Sequence, residues 1–232
     1  MSDVWTRFYR THPNAHVRHL CDVASERKAR LFAVACAKRI WNRIFDERLR
    51  QGLTIAERFA DGEATEAERY QAFRDVDLAS REILANNRYF FSMEVYAASV
   101  VAQCLSRPVL QDEPHFAISA GMYSMYVVTE WPSVRPEQID QEVHAHEQLL
   151  GEIFGNLQQP IRMEPEWRTA NQHRVMELAR SIYSERTYHY LPILADALED
   201  VGCDQSALLE HLRAQRQHLR GCWALDAVLG WE

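Results

Sequence analysis

The chain has 232 residues, a formal net charge of −7, and only eight glycines and eight prolines. This length supports one large domain or two small ones, and so few turn residues exclude most all-β architectures. No apolar run approaches the eighteen residues of a membrane span, and the opening MSDVWTRFYRTHPN lacks the apolar stretch of a secretion signal, so a cytoplasmic protein without membrane contact is expected.

Five cysteines form an odd set without a compact framework spacing. Free or metal-held thiols fit them better than disulfides. The charge is split: residues 1–60 hold twelve Lys/Arg against six Asp/Glu, and the remainder holds fourteen against twenty-seven. Such a split marks either a partner surface or attraction within one fold. No nucleic-acid-binding motif accompanies the basic segment, which weighs against nucleic acid as the partner.

Ser25 is placed to cap a helix from Glu26 towards Arg50. Its apolar positions Phe32, Cys36, Ile40 and Ile44 recur every fourth residue, widened by Leu31, Val34 and Trp41. Gly52 is expected to break or kink this run. Thr65 with Glu68 is a capping-box pattern, so a long helix starts there and runs to Asn86-Asn87. Another crosses RYFFSMEVYAASVVAQCLS and stops before Pro108. Residues 114–131, apolar and aromatic, read as helix, although Gly121 and Val127-Val128 allow other conformations. Pro136 suits the first position of a helix reaching Phe154.

Residues 155–171 contain Gly155, Pro160 and Pro165 without a clean period and read as a linker or long loop. Helices resume over 172–183, 192–201, 206–214 and 222–229, with Gly202 as a stop and Asp204 as a cap. No strand pattern stands out. The predicted fold is all-α: a multi-helix, bundle-like body over 1–154, then a smaller C-terminal helical module over 172–232. A module of that size needs either to pack on the body or to carry a staple.

The stretches SERKARLFAVACAKRIW (25–41), DERLRQGLTIAERFADG (46–62), LLGEIFGN (149–156), SERTYHYLPILADALEDVGC (184–203) and HLRGCWALDAVLG (218–230) together resemble a family of paralogous helical proteins abundant in planctomycete bacteria. The resemblance implies a helical fold and brings no activity, substrate or catalytic residue with it. Three positions depart from the family pattern. Ala37 stands where the family often has a second cysteine, Leu157-Gln158 where it has proline and an aromatic, and Trp231 where it has a basic residue.

Three constellations have metal-ligand residue types. Cys203, His211, His218 and Cys222 offer two thiolates and two imidazoles, the donor set of a closed structural zinc site. Their C-x7-H-x6-H-x3-C spacing matches no compact finger. It favours the plain alternative, with both cysteines as small buried hydrophobes and both histidines at the surface or hydrogen-bonded. Glu142, His144, His146 and Glu147 share helical faces but lack the Glu-x-x-His pairs of a di-iron bundle, so a solvated helix face is expected. His12, His16, His19 and Cys21 need no ligand beyond an irregular helix start. Cys36 and Cys104 lie on apolar stripes and read as core.

No nucleophile elbow, phosphate loop or cysteine-enzyme signature occurs. No catalytic or cofactor-binding residue is assigned. The expectation is therefore a cytoplasmic protein-interaction or adaptor module without catalysis, with a protein partner. Two alternatives stay open. One is an enzyme with a helical pocket around 114–147, and the other is a zinc-stabilised regulator touching nucleic acid through the basic 27–50 helix.

Overall fold

The computed structural model describes residues 25–86, 92–107, 115–129, 136–155, 161, 163–169 and 173–231. Among these residues there are eleven α-helices and no strand, so the fold is all-α as expected. They are α1 (Glu26–Arg39), α2 (Glu47–Ala60), α3 (Glu66–Asn86), α4 (Met93–Leu105), α5 (His115–Val128), α6 (Pro136–Phe154), α7 (Pro165–Thr169), α8 (Arg174–Glu185), α9 (Leu191–Asp200), α10 (Ser206–Arg213) and α11 (Trp223–Leu229). The chain forms two compact units, Met1–Leu150 and Gly151–Glu232. The division falls inside α6, four residues before the expected end of the body.

In the first unit α1 is the central element. Every residue from Lys28 to Ala37 is buried, and α1 packs on α2, α4 and α5. Ser25 caps it as predicted, its hydroxyl accepting from the Lys28 N–H at 3.3 Å. The expected long helix to Arg50 instead divides. A 3-10 turn at Trp41–Arg43 ends α1, and Asp46 starts α2 by accepting from the Arg48 N–H at 2.8 Å. Gly52 does not break α2. A Cβ there would lie 2.6 Å from Val76 Cγ2 and 3.1 Å from Leu105 Cδ1. The missing side chain lets α2 press against α3 and α4, which offsets the helical cost of glycine. The Thr65–Glu68 capping box forms, with Glu68 N–H to Thr65 Oγ1 at 3.2 Å and Thr65 N–H to Glu68 Oε2 at 2.7 Å.

A helix buried on all faces must neutralise its own cations. Arg30 is fully buried and donates to the Cys104 carbonyl at 2.5 Å, the Ser106 carbonyl at 3.0 Å and Glu26 at 2.5 Å. Arg69 reaches the Leu105 carbonyl and Glu66. The two guanidinium groups lie 5.1 and 5.7 Å from the centroid of the Phe59 ring. Both arginines therefore cap the carbonyl end of α4. Elsewhere in the basic 27–50 segment, Arg27 pairs with Asp61 at 2.9 Å and Lys38 with Glu57. Arg48 pairs with Asp46 and Glu82, and Arg50 donates to the Ile44 carbonyl at 2.8 Å. Cys36 and Cys104 are fully buried, as predicted for core cysteines.

In the second unit α8 packs on α7, α9 and α11, and α10 packs on α9 and α11. Their core includes Ile182, Tyr183, Leu194, Leu198, Leu212, Leu225 and Val228. The stretch expected to be a linker contributes to this core: it contains α7, whose Trp167 is buried there. Gly202 ends α9 at φ +87°, as predicted, whereas the cap of α10 is Gln205 in place of the predicted Asp204. No described helix is long and apolar enough to cross a membrane.

Because Val76 is a stiff β-branched neighbour, Gly52→Val is expected to destabilise the first unit by about 1–3 kcal/mol through overpacking. Chemical denaturation followed by circular dichroism measures it. An unchanged midpoint would show that α2 and α3 separate freely.

Candidate metal centre

The second unit brings Glu152, His211, His218 and Cys222 together, with one ligand atom from each lying within 4.8 Å of all the others. Three of the four predicted zinc ligands are in this set. The fourth, Cys203, is not: it is 3% exposed in the apolar core, beyond the stop of α9. Burial pushes its thiol pKa up, and it behaves as the small hydrophobe of the alternative reading. Its place is taken by Glu152, on the last turn of α6.

Local structure explains the convergence. His211 lies near the end of α10 and His218 in the loop after it. Cys222 caps the start of α11. Gly221 at φ +87° and Gly155 at φ +66° turn the backbone on either side. Gly155 ends α6 through its N–H to the Gly151 carbonyl at 3.1 Å. A Cβ on Gly155 would lie 2.7 Å from the Trp223 ring, so only glycine fits under that indole.

The ligand atoms are close enough for one small cation to reach all four. His211 Nε2 is 3.2 Å from Cys222 Sγ and 3.3 Å from Glu152 Oε2. His218 Nδ1 is 3.0 Å from Glu152 Oε1 and 3.8 Å from Cys222 Sγ. Zinc bonds of about 2.1 Å to nitrogen or oxygen and about 2.3 Å to sulfur give tetrahedron edges of roughly 3.3–3.7 Å. The His218 ring is also oriented for ligation. Its Nε2 lies 3.3 Å from the Ala214 carbonyl, which gives a proton on Nε2 an acceptor, and Nδ1 faces the cluster beside Glu152 Oε1.

Electrostatics leave one atom unsatisfied. Glu152 is 3% exposed, and its Oε2 is buried without a well-formed hydrogen bond; the His211 contact at 3.3 Å is misaligned. Burial opposes ionisation of this carboxyl, but the His211 and His218 rings outweigh it and hold its pKa down to about 2. Burial, then the nearby Glu152 charge, pushes the Cys222 thiol well above its ordinary value. Without a cation the thiol keeps its proton.

The Glu142–Glu147 constellation separates into two faces. His144 and Glu147 face solvent and approach at 3.8 Å, as expected. Glu142 and His146 do not: each is 2% exposed. They belong to the buried stripe of α6 with Val143 and Leu150, and this is the physical reason the solvated-face expectation fails for them. Arg39 grips Glu142 with two hydrogen bonds, at 2.8 and 2.5 Å. His146 Nε2 lies 3.2 Å from Glu142 and 3.3 Å from Ser124 Oγ. This is not a catalytic triad, which needs opposite ring nitrogens for carboxylate and hydroxyl. Here one nitrogen faces both, and Ser124 donates its proton to the Gly121 carbonyl at 2.8 Å. His12, His16, His19 and Cys21 lie outside the described residues.

No protein-family model, curated protein or solved structure matches the chain.

Burial raises the Glu142 pKa, but the His146 and Arg39 hydrogen bonds outweigh it and lower it from 4.5 to about 2. A carboxyl depressed in the folded state contributes stability fully above its unfolded value and loses it as pH falls through the folded value. Stability should therefore decline between about pH 5 and pH 2. Glu142→Gln should flatten that decline and cost about 2–3 kcal/mol at pH 7, below the fully buried range because Arg39 keeps one third of its side chain exposed. Urea titrations at stepped pH measure both effects.

Proposed function

We propose that this chain is a non-catalytic helical binding protein whose second unit is stapled by a structural zinc held by Glu152, His211, His218 and Cys222. The observation that carries the zinc is the buried Glu152 Oε2, without a well-formed hydrogen bond, inside a set of four donor groups whose ligand atoms lie within 4.8 Å of one another. A set of four mixed nitrogen, oxygen and thiolate ligands favours zinc over magnesium or calcium, which take oxygen ligands in larger number. With four protein ligands the metal has no open position for substrate, so its role within the second unit is to hold the segment around Glu152 to α10 and α11. A unit of 82 residues gains from such a staple.

Two further observations support binding over catalysis. Trp41 and Phe45, 42% and 68% exposed, stand on the connection between α1 and α2. Phe45 lines an open cleft of about 410 Å³ with Arg43, Arg48, Glu82, Ile83 and Glu94. Exposed aromatics beside mixed charge are the usual chemistry of a protein-binding patch. Nucleic acid is disfavoured because Arg27, Arg30, Lys38, Arg39 and Arg48 are already ion-paired within the first unit. The described cysteines are free thiols, which fits a reducing, cytoplasmic setting.

Elemental analysis of the purified full chain is expected to give one zinc per chain, retained in Cys203→Ser and lost in Cys222→Ser and Glu152→Gln. Zinc at about a thousandfold over its Kd adds about 4 kcal/mol, so a chelator should lower Tm by roughly 8–16 °C. Zinc must displace the Cys222 proton, so affinity should rise about tenfold per pH unit below the thiol's free-state value. Equal metal content in all variants, or a Tm indifferent to chelator, overturns the staple. For the binding role, tagged wild-type protein and a Trp41→Ser/Phe45→Ser variant are isolated from native cells. Identical sets of stoichiometric co-purifying proteins overturn it.

A further inference from the structure

We infer that Trp223 is a built-in competitor for the metal, holding His211 in the tautomer that cannot ligate until zinc displaces the indole. This rests on the zinc staple proposed above and concerns its regulation. The indole Nε1–H of Trp223 points at His211 Nδ1 at 3.0 Å. An indole nitrogen only donates, so Nδ1 must present a lone pair. A neutral imidazole then carries its proton on Nε2, the nitrogen that faces Cys222 Sγ at 3.2 Å. That proton occupies the place a metal would take.

Ligation through Nε2 requires the proton to move to Nδ1. Two N–H groups, of Trp223 and His211, would then meet head to head across 3.0 Å. Leaving both nitrogens unprotonated instead makes His211 an imidazolate, which the adjacent Glu152 carboxylate opposes. The remaining course is for the indole to turn away from Nδ1. His218 meets no donor of this kind: its Nδ1 faces Glu152 Oε1 at 3.0 Å and its Nε2 faces the Ala214 carbonyl at 3.3 Å, both acceptors, so a proton can stay on Nε2 when Nδ1 meets a metal. The two histidines are thus unequal: on the side away from the cluster His218 has an acceptor for the proton it keeps, and His211 meets a donor.

The restraint reaches further than the ring. Trp223 stacks edge-on to His211 with centroids 4.8 Å apart, and its ring covers Gly155, where a Cβ would be 2.7 Å away. A turn of the indole therefore disturbs the cap of α6 at the same moment that Glu152, three residues earlier, gains the metal. Zinc occupancy and the packing of the α6 terminus are coupled through one side chain.

The test compares full-length wild type and Trp223→Phe, titrated with zinc against a chromophoric chelator. Removing the competing hydrogen bond should tighten zinc binding roughly fivefold, the equivalent of one ordinary hydrogen bond. In parallel, 15N-indole spectra of the wild type are recorded with and without one equivalent of zinc. One of the six indole N–H signals should move, as it loses its imidazole acceptor. This second measurement decides the question should the variant fail to fold. Zinc uptake with equal or weaker affinity in Trp223→Phe, or with all six indole signals stationary, overturns this inference and leaves the staple standing. No zinc uptake by either protein overturns both.

Discussion

A carboxylate in a dry interior has to find positive charge, and α6 poses that problem twice. Glu142 and Glu152 lie ten residues apart on one helix, 2% and 3% exposed. The first is answered within its unit by the Arg39 fork, so both oxygens are held and the network is complete. The second has no arginine. Its neighbours are two imidazoles and a thiol, which together satisfy one oxygen and leave the other without a well-formed bond. A half-satisfied buried network is worse than an apolar one. The difference between the two sites is what separates a finished core contact from a place for a cation.

Much of the fold was legible because it is written in local chemistry. Ser25, the Thr65–Glu68 box, Pro136 and Gly202 each start or stop a helix by a rule that needs no tertiary information. The failures have tertiary causes. Gly52 reads as a breaker until Val76 and Leu105 are known to lie against it. The 155–171 stretch reads as a linker or long loop, and no period in it announces α7 or the burial of Trp167.

The candidate site was half legible for the same reason. His211, His218 and Cys222 were visible as ligand types close in sequence. Glu152 was hidden because it lies 59 residues before His211 and reads as one polar residue in an apolar helix end. A signal was present: LLGEIF places a lone carboxylate among four large apolar residues, and a buried acid there needs a partner. The Val143–His146–Leu150–Ile153 stripe would likewise have placed Glu142 and His146 inside, since all four fall on one helical face.

The burial of α1 bears on how the chain comes to be folded at all. It is the first described helix to be synthesised, yet it is enclosed by segments made much later, and Arg39 finds its carboxylate 103 residues downstream. On the ribosome α1 must therefore wait, its Arg30 uncovered until the end of α4 has emerged, its apolar faces until α5, and its Arg39 without Glu142 until α6. Contacts so distant in sequence slow folding and prolong exposure of sticky surface. That wait leaves this helix open to chaperone capture and to aggregation while the rest of the chain is made.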